Sequence, residues 1–360
     1  MTTQQLTSKS PTVLSWQMRR FLIGSSLTLF AFILVTAYLT PFLYMVSTSL
    51  KNREQQTNPN SPLWPATVAT YTYQDQVYTM YAVPTEQGVQ NWALVKKGRD
   101  SSYFIDPSNP QAGLIEWKGQ WRALQEAWVV KFEYSNFVSA WNMPGQAANF
   151  PRLFFNSTMI SFTGVIGTLL SSIAVAYGFS RFRFPGQKIL FMVLIATIIL
   201  PRTVLIIPTY AFFVKIGWVG TWLPLIVPHF FANAYNVFLL RQYFMTIPRE
   251  IDEAAMIDGA SPLRTLISII VPQSIPVLIA VTLFHFVFAW NDYFEPLIYL
   301  SATPQLQPIS VGVQAFNFMY NQQPAMIQAT SLLGLSLPVL IFLVAQRYFI
   351  SGVVLSGAEK

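Results

Sequence analysis

Glu253-Ala254-Ala255-Met256-Ile257-Asp258-Gly259-Ala260, followed by Ile269, Pro272 and Pro276, forms a short charged island between two long apolar runs. Its residues spell a helix–turn–helix. Pro248 pre-sets a helix start, and Glu250, Asp252 and Glu253 fill the first turn, where the positive end of the helix dipole favours acids. Ile251, Ala254, Ala255 and Asp258 share one face at helical spacing, and two alanines there allow a partner surface to come close. Gly259 is placed to end the helix in a left-handed conformation, Ser261 to cap a second helix with Pro262 at its first position, and Pro272 to turn the chain back. Each arm, about 9 residues or roughly 13 Å long, is too short to cross a bilayer.

Outward from the island the chain is dominated by apolar sequence. It is 53% hydrophobic and only 10% charged, whereas a soluble domain carries about a quarter charged residues. No charge occurs from Phe21 to Leu50, from Leu153 to Ser180, from Thr265 to Asn291 or from Pro296 to Gln346. A bilayer core needs roughly 20 apolar residues per helix, and backbone groups in lipid must be satisfied within the helix. The sequence therefore predicts six transmembrane helices, over 21–49, 153–179, 188–211 (interrupted by Pro201 and Pro208), 221–244, 273–299 and 326–350. The first run is longer than the apolar region of a signal peptide, about 7–15 residues, and no small-residue cleavage site follows it, so it reads as a retained span.

The net charge of +7 follows membrane orientation rather than a nucleic-acid patch. Residues 51–152 hold nine basic and eight acidic residues, leaving +1; the segments assigned to the cytosol hold eleven and five, leaving +6. Lys9, Arg19 and Arg20 flank the first span, Arg181, Arg183 and Lys188 the turn after the second, and Arg241, Arg249 and Arg264 the island. By the positive-inside rule both termini and the island are cytosolic. The predicted order is a tail at 1–20, a first helix at 21–50, an outward insert at 51–150, a membrane core at 151–350 that contains the 246–272 loop, and a tail at 351–360. The insert is rich in Tyr, Trp, Thr and Val. Tyr71–Tyr73, Val77–Val83, Val89–Val95 and Ala127–Glu133 read as strands, with turns at Gln87-Gly88, Lys97-Gly98, Asp106-Pro107 and Lys118-Gly119. The fold class is thus an all-α polytopic membrane protein with an extracytoplasmic, β-rich insert between helices 1 and 2. Having no cysteine, the chain has no disulfide, thiolate metal site or cysteine nucleophile. No metal site is expected from His229 and His285 alone.

The spacing inside the island carries a resemblance. Glu-Ala-Ala at 253–255, Gly259 four residues on, Ile269 ten residues after that, and Pro272 resemble the signature loop of ABC importer membrane subunits, with Val271 where leucine is commoner. Asn156-Ser157, the Arg181-Phe182-Arg183-Phe184-Pro185-Gly186 turn, Phe238 to Phe244, Trp290-Asn291-Asp292-Tyr293 and Gln346-Arg347-Tyr348-Phe349 extend it in order. Together they resemble the carbohydrate-uptake class, similar to the smaller permease of the maltose importer. The likeness covers 15–65 loosely and 132–356 closely, and 66–131 has no counterpart in the family pattern.

The resemblance implies a type I ABC importer permease in a bacterial or archaeal inner membrane: a non-catalytic half that passes sugar through the lipid bilayer. It implies a second homologous permease, two ATP-binding cassette subunits that bind ATP and Mg, and an extracytoplasmic solute-binding protein, with no cofactor in this chain and no nucleic acid. It assigns ATPase coupling to Glu253, Ala254, Ala255, Asp258, Gly259 and Ala260. The G-x-x-x-x-G-K-[ST] loop is absent here, so hydrolysis is expected in another polypeptide.

Charges within a membrane default to functional candidates. Trp290, Asn291 and Asp292 suit a sugar path, which needs aromatic faces with amide and carboxylate partners, but Asp292 and Glu295 equally suit the wet outer interface. Arg202 either snorkels to that interface or lines the path. Two other functions remain open. A stand-alone secondary transporter would show paired repeats, and no second copy of the island occurs. A membrane-anchored enzyme would use acids of the insert (Asp75, Glu86, Asp100, Asp106, Glu116, Glu126, Glu133), which follow no catalytic motif and have no histidine beside them.

Overall fold

The computed structural model describes residues 13–143, 146–318 and 321–357. It divides into two compact units, the first running to Glu133 and the second beginning at Tyr134. Lys9 and the outermost parts of both predicted tails lie outside the described residues.

The first unit opens with helix α1 (Val13–Ser49), whose apolar side chains, Phe21, Leu27 and Phe32 among them, are exposed. Asn52 caps the short helix Arg53–Thr57 by accepting from Gln55 N. The Gln55 side chain is buried and ties down the entry to the sheet. It donates to Pro62 O and Trp64 O at 3.0 and 2.6 Å and accepts from Ala66 N at 2.9 Å. Eight strands follow: β1 Ala66–Val68, β2 Thr70–Tyr73, β3 Gln76–Thr85, β4 Gly88–Lys96, β5 Ser101–Ile105, β6 Ile115–Lys118, β7 Gln125–Glu126 and β8 Trp128–Val130. The sheet runs β2-β3-β4-β5-β6, antiparallel throughout, with β7 added to β3, while β1 pairs with β8. Period-two alternation puts Tyr81 and Val83, Trp92 and Leu94, and Phe104 on one buried face, with Ile115 and Trp117 packed against it. Gln74 and Asp75, both at positive φ, close the β2–β3 hairpin with the twist such a turn needs. An all-α description therefore fails for the first unit, and the second, mainly helical, adds a short antiparallel pair at Asn317–Phe318 and Asn321–Gln322. The strands expected at 71–73, 77–83 and 89–95 are present, the last expected strand is cut to Trp128–Val130, and β5 and β6 go beyond the expectation.

The second unit centres on α2 (Phe150–Arg181). Asn149 caps it by accepting from Arg152 N, and Pro151 occupies its first turn, where a missing N–H costs nothing. Its buried stripe is small and polar: Asn156, Ser157, Ser161, Gly164, Gly167, Thr168, Ser172 and Ala176. Small residues let helices approach closely where lipid offers no hydrophobic drive. A Cβ on Gly164 would lie 2.7 Å from His285 Nε2, and one on Gly167 2.6 Å from the Phe230 ring, so both positions require glycine. At the other end of α2, Asn156 Nδ2 donates to Gln305 O and Gln307 O, both at 2.9 Å, and Ser157 Oγ accepts from Ile309 N at 2.8 Å.

Around α2 lie α3 (Gln187–Ala196), α4 (Arg202–Lys215), α5 (Ala234–Thr246), α6 (Arg249–Ile257), α7 (Ile275–Asn291) and α8 (Pro324–Gly357). Among the described residues, four helices are long and apolar enough to cross a membrane: Met18–Ser49, Phe150–Arg181, Leu223–Thr246 and Pro324–Arg347. The other two expected spans are bent. Gln187–Ile199 and Arg202–Lys215 meet at 100°, and Pro262–Gln273 and Ile275–Asn291 at 81°. The first bend falls where the sequence breaks the 188–211 span: Leu200 and Pro201 leave helical geometry, whereas Pro208, also expected to interrupt it, sits inside α4 without ending it. The expected span at 221–244 begins with a four-residue helix and a 3-10 turn, and α5 starts afresh at Ala234 under an Asn233 cap. The span expected over 273–299 ends as a helix at Asn291, with a separate short helix at Phe294–Tyr299.

Candidate functional site

The island folds as its caps require. Helix α6 carries Glu250 and Asp252 in its first turn, and Gly259 follows its end at φ +79°. Gly259 N donates to Met256 O at 3.0 Å and Ala260 N to Ala255 O at 2.9 Å, the paired bonds of a Schellman stop. Ser261 Oγ accepts from Arg264 N, starting the second arm with Pro262 at its first turn. That arm continues through a π-helical turn, Leu266–Ile270, into Pro272. A proline there can neither donate to the preceding turn nor fit beneath it, and the widened turn absorbs the misfit.

The two faces of α6 divide differently from the sequence expectation. Ala255 is only 6% exposed, and Ile251 one turn earlier on α6 packs against a cluster of Tyr177, Phe244, Ile247, Leu266 and Ile270. The face left open carries Glu253, Ala254, Met256, Ile257 and Asp258, with Ile257 86% exposed and Leu263 on the second arm 65% exposed. Met256, Ile257 and Leu263 went unremarked in the sequence. Their signal was the large apolar residues interleaved with acids in a short loop between two apolar runs.

A buried ion pair also ties the hairpin to α2. Arg181 Nε lies 2.9 Å from Asp252 Oδ2, with the two side chains 7% and 14% exposed, and Arg181 Nη2 donates to Ile247 O at 3.0 Å. Burial pushes the Asp252 carboxyl above its ordinary value, against the opposing pull of Arg181 and Arg249. The last residue of one long helix thus grips both the first turn of α6 and the chain just before it.

A second site lies in the helix core. Thr197, Arg202, His229, Asn236, His285 and Phe288 line a cavity of about 580 Å³. The rings of His229 and His285, read separately in the sequence, meet edge to face with centroids 4.4 Å apart, and His285 Nδ1 lies 3.1 Å from Thr168 Oγ1. Arg202 pairs with Glu295 at 2.5 Å and its guanidinium lies 4.4 Å over the Phe288 ring.

Of the four path residues expected, only Arg202 lines this cavity. Trp290 is 4% exposed, stacked on Phe286 and edge-on to Phe154. Asn291 Nδ2 turns back to Val287 O at 2.8 Å, and the Asp292 carbonyl accepts from Ser310 Oγ at 2.6 Å. Replacing Arg202 with alanine should leave Glu295 unpaired in a half-buried setting. We expect uptake to fall several-fold, about what a 1 kcal/mol loss produces, and Arg202→Ala/Glu295→Gln to recover part of it. Equal uptake in all three proteins would remove this pair from the transport cycle.

A charged hairpin held against a bundle of apolar helices, with a cavity among broken helices, is an arrangement that fits a membrane permease subunit. The sequence profile of the binding-protein-dependent transport system inner membrane component matches residues 167–353, and the chain belongs to that family. It is 26% identical to the osmoprotective compounds uptake permease protein GgtD of Synechocystis sp., over 75% of this chain and 88% of that protein. It is 33% identical to the sn-glycerol-3-phosphate transport system permease protein UgpE of Agrobacterium fabrum, over 56% of this chain and 72% of that one. A bacterial ABC transporter involved in the import of the acidic polysaccharide alginate shares the fold, with a TM-score of 0.65 at 18% identity, covering 94% of this chain and all of the other. The fold is that of a type I ABC importer permease.

Proposed function

We propose that this chain forms half of the membrane pathway of an ATP-driven sugar importer and is coupled to its motor by the 246–272 hairpin. The observation that carries the reading is the open face of α6, where Ile257 and Met256 stand exposed beside Glu253 and Asp258 on a helix whose other face is packed. An apolar projection rimmed by acids suits a cleft in a soluble partner. Two ATP-binding cassette subunits would supply that cleft and bind ATP and Mg. A second, homologous permease would complete the pathway, and an extracytoplasmic solute-binding protein would deliver the sugar. The four long helices and two bent pairs would make six spans, with both termini in the cytosol as the arginine and lysine distribution requires.

The mechanism follows from the hairpin's attachments. When ATP draws the cassettes together, a helix seated in one of them moves as a rigid body. Its motion reaches α5 and α7 through the chain and α2 through the Arg181–Asp252 contact. The spans then rock about the cavity at His229 and His285 and switch its access from one side to the other. The named cargo of UgpE, sn-glycerol-3-phosphate, supports a small hydroxylated substrate.

The test is reconstitution. Proteoliposomes holding the co-purified complex should accumulate labelled sugar only with ATP and the binding protein. Accumulation by this chain alone under an ion gradient would overturn the proposal.

A further inference from the structure

We infer that a cleft in the sheet of the first unit is a sugar-binding site in its own right. Asn58, Tyr81, Trp121, Arg122, Glu126 and Trp128 line a cavity of about 430 Å³, within the range of roughly 300–1,000 Å³ that small-molecule sites occupy. The inference takes its ligand class from the sugar reading above; the cleft itself comes from the sheet.

A sugar ring has two kinds of surface. Its C–H face is apolar and lies flat on an aromatic ring, and its hydroxyl edge needs planar, two-pronged partners. The cleft supplies both. Tyr81 on β3, Trp121 in the turn after β6 and Trp128 on β8 bring three aromatic rings from separate segments to one place. Trp121 is already engaged: Tyr81 meets it edge-on at 6.1 Å, and Lys97 and Arg122 lie 5.0 and 4.8 Å over its ring. Trp128 makes no ring or cation contact among the described residues and is the platform left for stacking.

The polar half is set by the strand pairing. Tyr81 and Glu126 are direct partners across β3 and β7, and Asn58 Nδ2 donates to Glu126 Oε2 at 2.7 Å. That bond fixes the carboxylate and leaves its other oxygen free to accept. The Tyr81 side chain is 9% exposed, and its hydroxyl makes no side-chain hydrogen bond among the described residues. Burial, with the negative charge of Glu126 beside it, pushes the Tyr81 hydroxyl above its ordinary value and keeps it a donor. A sheet built only for stability would fill this space with aliphatic side chains, because unsatisfied polar groups near a core are costly. Here aromatic faces and underused donors and acceptors converge on a gap of ligand size.

Saturation-transfer NMR on the full-length chain in a sugar-free detergent tests the site with glucose, maltose and a uronate disaccharide at millimolar concentration. Transfer to ring C–H protons of at least one of them is expected, with affinity about tenfold weaker in both Glu126→Gln and Arg122→Ala, as the loss of one hydrogen bond to a charged group implies. Neither change replaces a residue of the buried sheet core. Trp128→Ala should abolish transfer, and the β-sheet signal in circular dichroism checks that β8 still pairs with β1. Absence of transfer to all three sugars, or equal transfer in the wild type and both polar variants, overturns the inference. ATP-driven uptake by the assembled complex is measured alongside. Normal uptake without transfer removes the cleft and leaves the proposed function standing. Transfer without any ATP-driven uptake does the reverse.

Discussion

Replacing Gly259 with valine should uncouple ATP hydrolysis from uptake while leaving the protein in the membrane. Gly259 sits at φ +79°, and an added Cβ would meet nothing within 4 Å. The effect is therefore conformational rather than steric. A left-handed residue costs an L side chain on the order of 1–2 kcal/mol, more when it is β-branched. Valine would be pushed out of that region and would break the paired bonds of the Schellman stop, from Gly259 N to Met256 O and from Ala260 N to Ala255 O. Without them α6 has no defined end, and the exposed Ile257 beside it loses its fixed direction. Transport should fall about tenfold or more, with ATPase activity no longer stimulated by the binding protein. Gly259→Asn should be far milder, because asparagine tolerates the left-handed region. Uptake and ATPase assays on the same proteoliposomes read the effect; normal coupled uptake in the valine variant would show that the hairpin does not transmit force.

The second large effect is expected at Arg181. Its pair with Asp252 is nearly closed to water, and its bond to Ile247 O adds a second anchor. Alanine at 181 strands a carboxylate whose ionisation burial already opposes. Breaking a buried pair by removing one partner costs about 3–5 kcal/mol. Lysine should rescue poorly, since it cannot reproduce the forked geometry. The double variant Arg181→Met/Asp252→Leu should recover much of the thermal stability, because no unpaired charge remains. Its uptake should stay below wild type, as an apolar contact holds α6 to α2 with less directional definition. Unfolding temperatures of the single and double variants in detergent measure this. Additivity of the two single changes within about 0.5 kcal/mol would mean the side chains do not act as a unit.

The hairpin was legible in the sequence because its determinants are local. Acids in the first turn, Gly259 at the stop and Ser261-Pro262 at the restart each act within a few residues, and the structure places the ends of α6 where they do. The same locality explains what was missed. Nothing near Leu200 distinguishes a 100° bend from a kink, because both are written as a proline in an apolar run. β5 and β6 are only five and four residues long and become strands when β4 offers an edge to β5 and β5 one to β6. The inner face of α6 is set by Ile251, which packs against Tyr177, Phe244 and Leu266, and none of them adjoins it in the chain.

Sequence alone determined that this chain lives in a bilayer, which of its loops carry positive charge, and that one of those loops is a capped hairpin. Length of apolar run, charge spacing and capping chemistry are properties of neighbouring residues and survive without a fold. Tertiary structure alone decided which side chains meet: Arg181 with Asp252, His229 with His285, Arg202 with Glu295, and Asn58 with Glu126 beside Tyr81. Those partners come from separate helices and strands. Their pairing depends on how closely helices approach across Gly164 and Gly167 and on the register of β3 with β7, neither of which is written in any one stretch of the chain.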